Sequence, residues 1–148
     1  MFQSIIVGVD GSQQSESALR TACHIANTYG SALRLVHTPQ PKTVAFALGA
    51  VAGYHAATSM PSEAEVKAAA EKILTSAKAI AKELGHPIAE VFSRRGTPAE
   101  ELLSCADECN ADLIVTGRRG LGSVGSLVLG STSMAVAKGA NCAVLTVT

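Results

Sequence analysis

Glycine, hydroxyl and arginine side chains concentrate in one segment near the C-terminus, between residues 117 and 132, which reads GRRGLGSVGSLVLGST. Glycine lets a ligand approach the main chain closely, and successive backbone N–H groups in such a turn bind anions. A helix that begins near Ser131 would add free N–H groups at its positive end. Ser131 and Thr132 add hydroxyl donors, and Arg118 and Arg119 add charge. The segment therefore predicts a site for a chain of phosphates.

The segment matches some of the known phosphate-binding patterns and not others. The P-loop pattern G-x-x-x-x-G-K-[ST] is absent. The dinucleotide pattern G-x-G-x-x-G occurs at Gly120, Gly122 and Gly125, but no acidic residue follows about 20 residues later to hold a ribose. The pattern G-x2-G-x9-G-[ST] matches in full at Gly117, Gly120, Gly130 and Ser131. The third pattern therefore describes the segment best.

Short apolar runs alternate with helical patterns along the chain, which predicts a β-α-β-α-β-α-β-α-β order. The predicted strands are Ile5–Val9, Leu33–His37, Ile88–Ser93, Leu113–Thr116 and Cys142–Val147. Continuous apolar strands separated by helices indicate a parallel sheet that is covered on both faces. Ligands of such sheets bind beyond the carboxyl ends of the strands, where Asp10, His37–Thr38 and the glycine segment are expected.

Helix-start and helix-stop residues mark the segments between these strands. The first helix is predicted to end at Gly30, and a capping box of Ser62 with Glu65 starts a long helix that ends at Gly85. A second capping box, of Thr97 with Glu100, starts the next helix, and a short helix covers about Ser131–Lys138. The segment from residue 39 to residue 61 is predicted to be a long, mobile, apolar loop.

Composition excludes several classes of protein. The chain has 148 residues, which predicts one domain over residues 1–148, and its 12 basic residues balance its 12 acidic ones. A nucleic-acid partner is not expected from this balance, and neither the first apolar run nor residues 44–57 are long enough to predict a signal peptide or a membrane span. The four cysteines form no C-x-x-C pair, which predicts buried free thiols, a cytoplasmic location and no metal site.

The chain resembles the universal stress protein family over essentially its whole length. The resemblance lies in residues 5–12 (IIVGVDGS), residues 35–37 (LVH), the intact third glycine pattern, and residues 142–147 (CAVLTV). It implies a single open parallel five-stranded α/β sheet in the order 3-2-1-4-5, of the adenine-nucleotide alpha-hydrolase-like type. The intact glycine pattern also implies the subclass of the family that binds ATP.

The resemblance implies specific roles for residues of this chain. Asp10 would lie at the ribose, with Gly8 and Val9 beside the adenosine, and Thr38 would offer backbone groups to adenine. The residues expected around the phosphates are Gly117, Arg119, Gly120, Gly130, Ser131 and Thr132. A substitution of Gly117 by valine is accordingly expected to abolish ligand binding and leave the fold intact. His37, at a strand end, is interpreted as a packed residue and not as a catalyst.

The last strand, residues 142–147, is apolar, and an apolar strand at the edge of a sheet invites pairing with another chain. The family resemblance implies dimers formed through this strand, so a homodimer is expected. No nucleophile–base pair, paired carboxylates or Mg²⁺ cluster stands out in the sequence.

Three functions remain open. The first is a stress or regulatory protein that responds to bound ATP, with or without Mg²⁺, and hydrolyses it slowly if at all. The second is a small nucleotidyl transferase or hydrolase, and the third is an interaction module that binds no nucleotide.

Overall fold

The computed structural model describes residues 1–49, 60–121 and 129–148. Five parallel strands form one sheet in the order β3-β2-β1-β4-β5, which confirms the predicted fold class and strand order. The strands are β1 (Ser4–Gly8), β2 (Ala32–His37), β3 (Ile88–Ser93), β4 (Leu113–Gly117) and β5 (Ala143–Val147). The carboxyl ends of β1, β2 and β4, at the centre of the sheet, therefore meet at one edge.

Helices cover both faces of the sheet. Among the described residues they are α1 (Gln13–Tyr29), α2 (Pro41–Leu48), α3 (Glu63–Glu83), α4 (Pro98–Glu108) and α5 (Ser131–Gly139). The first three helices bury their apolar sides in one core cluster with Ile5 and Val7. The other two bury theirs with Ile6 and Ile114 on the opposite face. Alternate residues of the central strands thus pack into the cores on opposite faces of the sheet, as the two-residue repeat of a strand requires.

Most predicted helix ends are confirmed. The Ser12 hydroxyl accepts a hydrogen bond from the Ser15 backbone N–H, and Gly30 ends α1 in the left-handed conformation at φ 68°. Ser62 and Glu65 form the predicted reciprocal capping box at the start of α3. The predicted capping box at the start of α4 is wrong, because Thr97 occupies the N-cap position but its side chain makes no capping hydrogen bond.

The prediction of a continuous loop over residues 39–61 is also wrong, because α2 occupies Pro41–Leu48. Proline begins the helix, and the Thr43 hydroxyl accepts a hydrogen bond from the Gln40 N–H at 2.8 Å. Val44 and Ala47 are buried against α3, and this tertiary packing stabilises a helix of only eight residues. Residues 50–59 of the predicted loop lie outside the described residues.

The cysteines differ in burial. Cys23 and Cys105 are buried, and burial raises the pKa of each thiol to about 11. Cys109 and Cys142 are only half-buried, so the prediction of buried thiols is wrong for these two. Cys109 is the C-cap residue of α4 and Cys142 precedes the edge strand β5, and both pack against the margin of the second core cluster.

No helix within residues 1–49, 60–121 and 129–148 combines the length and the apolar character that crossing a bilayer requires.

Candidate functional site

A cleft of about 890 Å³ opens at the carboxyl ends of the strands, between the loops that follow β1, β2, β3 and β4. Its volume lies within the range of small-molecule sites, about 300–1,000 Å³. All ten residues that were predicted to bind a ligand line this cleft: Gly8, Val9, Asp10, Thr38, Gly117, Arg119, Gly120, Gly130, Ser131 and Thr132. The structure thus brings together residues that are separated by up to 124 positions in the chain.

The floor of the cleft is formed by the ends of the three central strands. Gly8 of β1 is in register with Val36 of β2, and Val7 is in register with Val115 of β4, which places Thr116 level with Gly8 on its other side. A Cβ atom at Gly8 would lie 3.1 Å from a methyl group of Leu102, so this glycine lets α4 pack closely over the strand ends. The floor of the cleft therefore presents an apolar side chain from β2, no side chain from β1 and a hydroxyl group from β4.

Asp10 is held in a fixed position at the mouth of the cleft. Its Oδ1 accepts a hydrogen bond of 2.8 Å from the Ser12 N–H, at the beginning of α1. Its Oδ2 faces the glycine segment and lies 2.7 Å from the position that a Cβ atom would take at Gly120. The carboxylate therefore spans the gap between the first helix and the glycine segment.

The described ends of the glycine segment are hydrogen-bonded to each other. The carbonyl oxygen of Arg118 accepts from the Gly130 N–H at 2.8 Å and from the Ser133 hydroxyl at 3.0 Å. The Arg118 N–H in turn donates to the carbonyl of Val147. The Gly130 N–H is thus already used within the protein and is not the donor that a phosphate-binding role would need. Residues 122–128, which include Gly122 and Gly125 of the dinucleotide pattern, lie outside the described residues.

The first turn of α5 has no side-chain cap. Its N-cap residue, Gly130, carries no side chain, and its first turn contains no acidic residue. Helices α1 and α3, by contrast, begin with serine caps and acidic first turns. The N–H groups of Ser131 and Thr132 have no acceptor within the helix, and the positive end of its dipole lies at the cleft. This arrangement suits an anion.

Gly117 has a packing role that the sequence did not reveal. A Cβ atom here would lie 2.9 Å from the backbone carbonyl carbon of Gln14 and 3.0 Å from its oxygen. The expectation that valine at position 117 would leave the fold intact is therefore wrong, because the side chain would collide with the backbone of α1.

Two threonines of the cleft carry hydroxyl groups that no described residue satisfies. Thr38 is 6% exposed and Thr116 is 4% exposed, and neither Oγ1 atom has a hydrogen-bond partner within the described part of the chain. An unpaired buried hydroxyl costs about 1–3 kcal/mol. Thr116 was missed by the sequence analysis, although a hydroxyl residue at the end of the apolar run Leu113–Val115 was a usable signal.

His37 is packed, as interpreted from the sequence. It is buried beneath the cleft, and its Nδ1 lies 2.8 Å from the carbonyl oxygen of Val9, so Nδ1 carries the proton and donates it. Burial lowers the pKa of the imidazole, although the hydrogen bond to Val9 and the Asp10 carboxylate act in the opposite direction. The ring thus supports the backbone that leads into Asp10.

Lys42 and Gln40 also line the cleft and were not among the predicted residues. The Gln40 side chain donates to the carbonyl of Gly96 at 2.9 Å and so connects the loop after β2 with the loop after β3. Lys42 and Arg119 bring positive charge to the walls, and Asp10 brings negative charge. Within the described ranges, no three His, Cys, Asp or Glu side chains are grouped so that they could hold a metal ion.

Comparison with known proteins gives consistent results. The model of the universal stress protein family matches residues 1–148. A universal stress protein of Thermus aquaticus, named for its position in a QAH/OAS sulfhydrylase 3′ region, is 38% identical over 147 residues, which cover 99% of both chains. Among solved structures, a universal stress protein from Archaeoglobus fulgidus is 27% identical, with a TM-score of 0.72 over 100% of both chains.

A universal stress protein that was crystallised in complex with cAMP is also similar. It is 28% identical to this chain, with a TM-score of 0.71 over 99% of this chain and 97% of the other. Sequence, fold and strand order therefore agree, and the chain belongs to the universal stress protein family.

Proposed function

We propose that this protein binds an adenine nucleotide, ATP, in the cleft, and that occupancy of the cleft alters a surface that a regulatory partner recognises. The observation that carries the proposal is the position of the uncapped first turn of α5, which shares the cleft with the fixed carboxylate of Asp10. A ligand for such a site needs an anionic end and hydroxyl donors, and a nucleotide has both.

The cleft offers different chemistry at its two ends. At the α5 end, the free N–H groups and hydroxyls of Ser131 and Thr132, together with Arg119, suit the phosphates. Asp10 Oδ2, next to Gly120, suits the hydroxyls of a ribose, which donate hydrogen bonds to a carboxylate. At the β2 end, Val36 and Thr38 provide an apolar surface and backbone groups for the base. The order base, ribose, phosphates thus follows the cleft from β2 across β1 and β4 to α5.

The complex of a relative with cAMP supports an adenine nucleotide as the class of ligand. The choice of ATP rests on the resemblance to the ATP-binding subclass of the family, whose glycine pattern this chain matches in full. Mg²⁺ would be held chiefly by the phosphates, with Asp10 as the carboxylate of the cleft nearest to the glycine segment.

The direct test is calorimetric titration of the purified, nucleotide-free protein with ATP, ADP, AMP and GTP, with and without Mg²⁺. We expect saturable binding of ATP at about one per chain and weaker binding of GTP, because a similar protein was crystallised with the adenine nucleotide cAMP. Absence of binding by every nucleotide would refute the proposal and favour an interaction module that uses the same fold. Turnover of ATP in the same samples would favour a slow hydrolase.

We also propose that the protein forms a homodimer through β5. No residue of β5 is charged, and its side chains are only partly buried, although the strand is fully paired with β4 on one side. The opposite edge strand, β3, carries Glu90 in an ion pair with Arg34. Charged residues protect an edge from pairing, and uncharged apolar edges invite it. The second copy would therefore add to β5 and not to β3.

Replacement of Ala143 by lysine is expected to dissociate this dimer. Ala143 is exposed at the start of β5, so lysine there costs the monomer little. In a two-fold interface both copies contribute the same patch, so the substitution would place two charged side chains in an otherwise uncharged contact. Sedimentation velocity over a series of concentrations should show dimers for the unmodified protein and monomers for Ala143→Lys. Ala89→Lys, on β3, is the matched control and should remain dimeric, whereas dissociation of both variants, or a monomeric unmodified protein, would contradict the proposed interface.

A further inference from the structure

Thr116 ends the apolar part of β4 and lines the floor of the cleft. The residue is 4% exposed, yet its Oγ1 has no hydrogen-bond partner within residues 1–49, 60–121 and 129–148. Ser133 of α5 lines the same cleft, and its hydroxyl already donates to the carbonyls of Arg118 and Gly130. The hydroxyl of Thr116 is therefore an unused hydrogen-bonding group inside a ligand-sized cleft.

The position of Thr116 determines which part of a ligand it can reach. Its neighbour two residues earlier, Ile114, packs in the core beneath α4 and α5, so the Thr116 side chain emerges on that face of the sheet. It lies beyond Gly8, which has no side chain, it comes directly before the glycine segment, and it shares the cleft lining with the first turn of α5. This is the end of the cleft that suits an anion, two strands away from Thr38.

We infer that the hydroxyl of Thr116 donates a hydrogen bond to the phosphate nearest the sugar of the bound nucleotide. The inference rests on the proposed function and adds a binding residue to it. A hydroxyl that donates to a charged oxygen makes a stronger hydrogen bond than one that donates to a neutral group, so the contact favours nucleotides over nucleosides. Thr116 thus helps to distinguish a phosphorylated ligand from its nucleoside.

The test uses Thr116→Val, which keeps the shape of the side chain and removes the hydroxyl. Calorimetric Kd values for ATP, AMP and adenosine should show affinity for ATP and AMP about tenfold lower in the variant, with adenosine changed by less than about twofold. Thr116→Ser restores the hydroxyl and should bind AMP nearly as well as the unmodified protein. Thr146→Val, at the paired position of β5 and outside the cleft lining, is the control and should bind all three ligands normally.

Denaturant unfolding without ligand separates a binding role from a structural one. Because the hydroxyl has no partner in the described protein, Thr116→Val should be at least as stable as the unmodified protein. Unchanged affinity for AMP in Thr116→Val, an equal loss for AMP and adenosine, or a loss of stability without ligand would each overturn the inference and leave the proposed function standing. Failure of the unmodified protein to bind any nucleotide would instead overturn the proposed function, and this inference with it.

Discussion

Replacing Gly117 by alanine is expected to lower the free energy of unfolding by about 1–3 kcal/mol, the usual cost of overpacking. The added Cβ would lie 2.9 Å from both the carbonyl carbon and the Cβ of Gln14, which is closer than such atoms approach in folded proteins. Most of this obstacle is backbone in the first turn of α1. That turn is held by the Ser12 cap and by the hydrogen bond from the Ser12 N–H to Asp10, so it cannot move aside easily.

Urea denaturation of Gly117→Ala and of a matched variant, Gly130→Ala, would measure this effect. Gly130 belongs to the same glycine pattern, but a Cβ atom there would meet its nearest neighbours at 3.4 Å, and its φ of −71° suits any residue. Gly130→Ala should cost less than Gly117→Ala, about 0.5–1 kcal/mol, which is the loss expected when alanine replaces glycine at an N-cap. Equal destabilisation by the two substitutions would show that contact with α1 does not explain why position 117 is glycine.

The different surroundings of Gly117 and Gly130 limit what the glycine pattern shows about ligand binding. Gly117 satisfies the first position of the pattern, but contact with Gln14 is enough to explain it. Loss of nucleotide binding in a Gly117→Val variant would therefore reflect disturbed packing as much as a blocked phosphate. The parts of the pattern that bear on the ligand are the approach of Asp10 to Gly120 and the uncapped turn that follows Gly130.

Much of the fold could be predicted from the sequence because its signals are local. Apolar runs such as Ile5–Val9 predict buried strands, and the Ser62–Glu65 capping box predicts the start of α3, since each depends on neighbouring residues only. The order of the strands depends on contacts between distant segments, and it came from the family resemblance and not from periodicity. Helix α2 was missed because packing of Val44 and Ala47 against α3 stabilises it, and no local pattern shows that contact.

In the candidate site, too, some features were predictable from the sequence, and others depend on contacts between distant residues. The family resemblance implies ten binding residues, and the structure places all ten on one cleft, because the ends of parallel strands meet there. Thr116 was not predicted, since its importance depends on the absence of a partner for its hydroxyl. The roles of the Gly130 N–H and of Gly117 also depend on the carbonyl of Arg118 and the backbone of Gln14, which only the folded chain brings close.

Replacing Asp10 by asparagine is expected to weaken ATP binding by about 1–3 kcal/mol, or about five- to 150-fold in Kd. Asparagine retains an oxygen that can accept the hydrogen bond from the Ser12 N–H, so the beginning of α1 should be preserved. The oxygen Oδ2 is replaced by an NH₂ group, which cannot accept hydrogen bonds from the hydroxyls of a ribose. The substitution therefore removes the proposed ligand contact and keeps the structural one.

Asp112 provides a matched control for this experiment. Its carboxylate also accepts backbone hydrogen bonds, from the N–H groups of Gln3 and Ser4, but it lies at the opposite end of the sheet from the cleft. Calorimetry should show normal ATP binding for Asp112→Asn and weakened binding for Asp10→Asn, with similar unfolding free energies for Asp10→Asn and the unmodified protein. If Asp10→Asn binds ATP normally, its Oδ2 does not contact the ligand, and the ribose must lie elsewhere in the cleft. If Asp10→Asn loses both stability and binding, the role of Asp10 is to hold the turn before α1, and the ligand assignment for this residue fails.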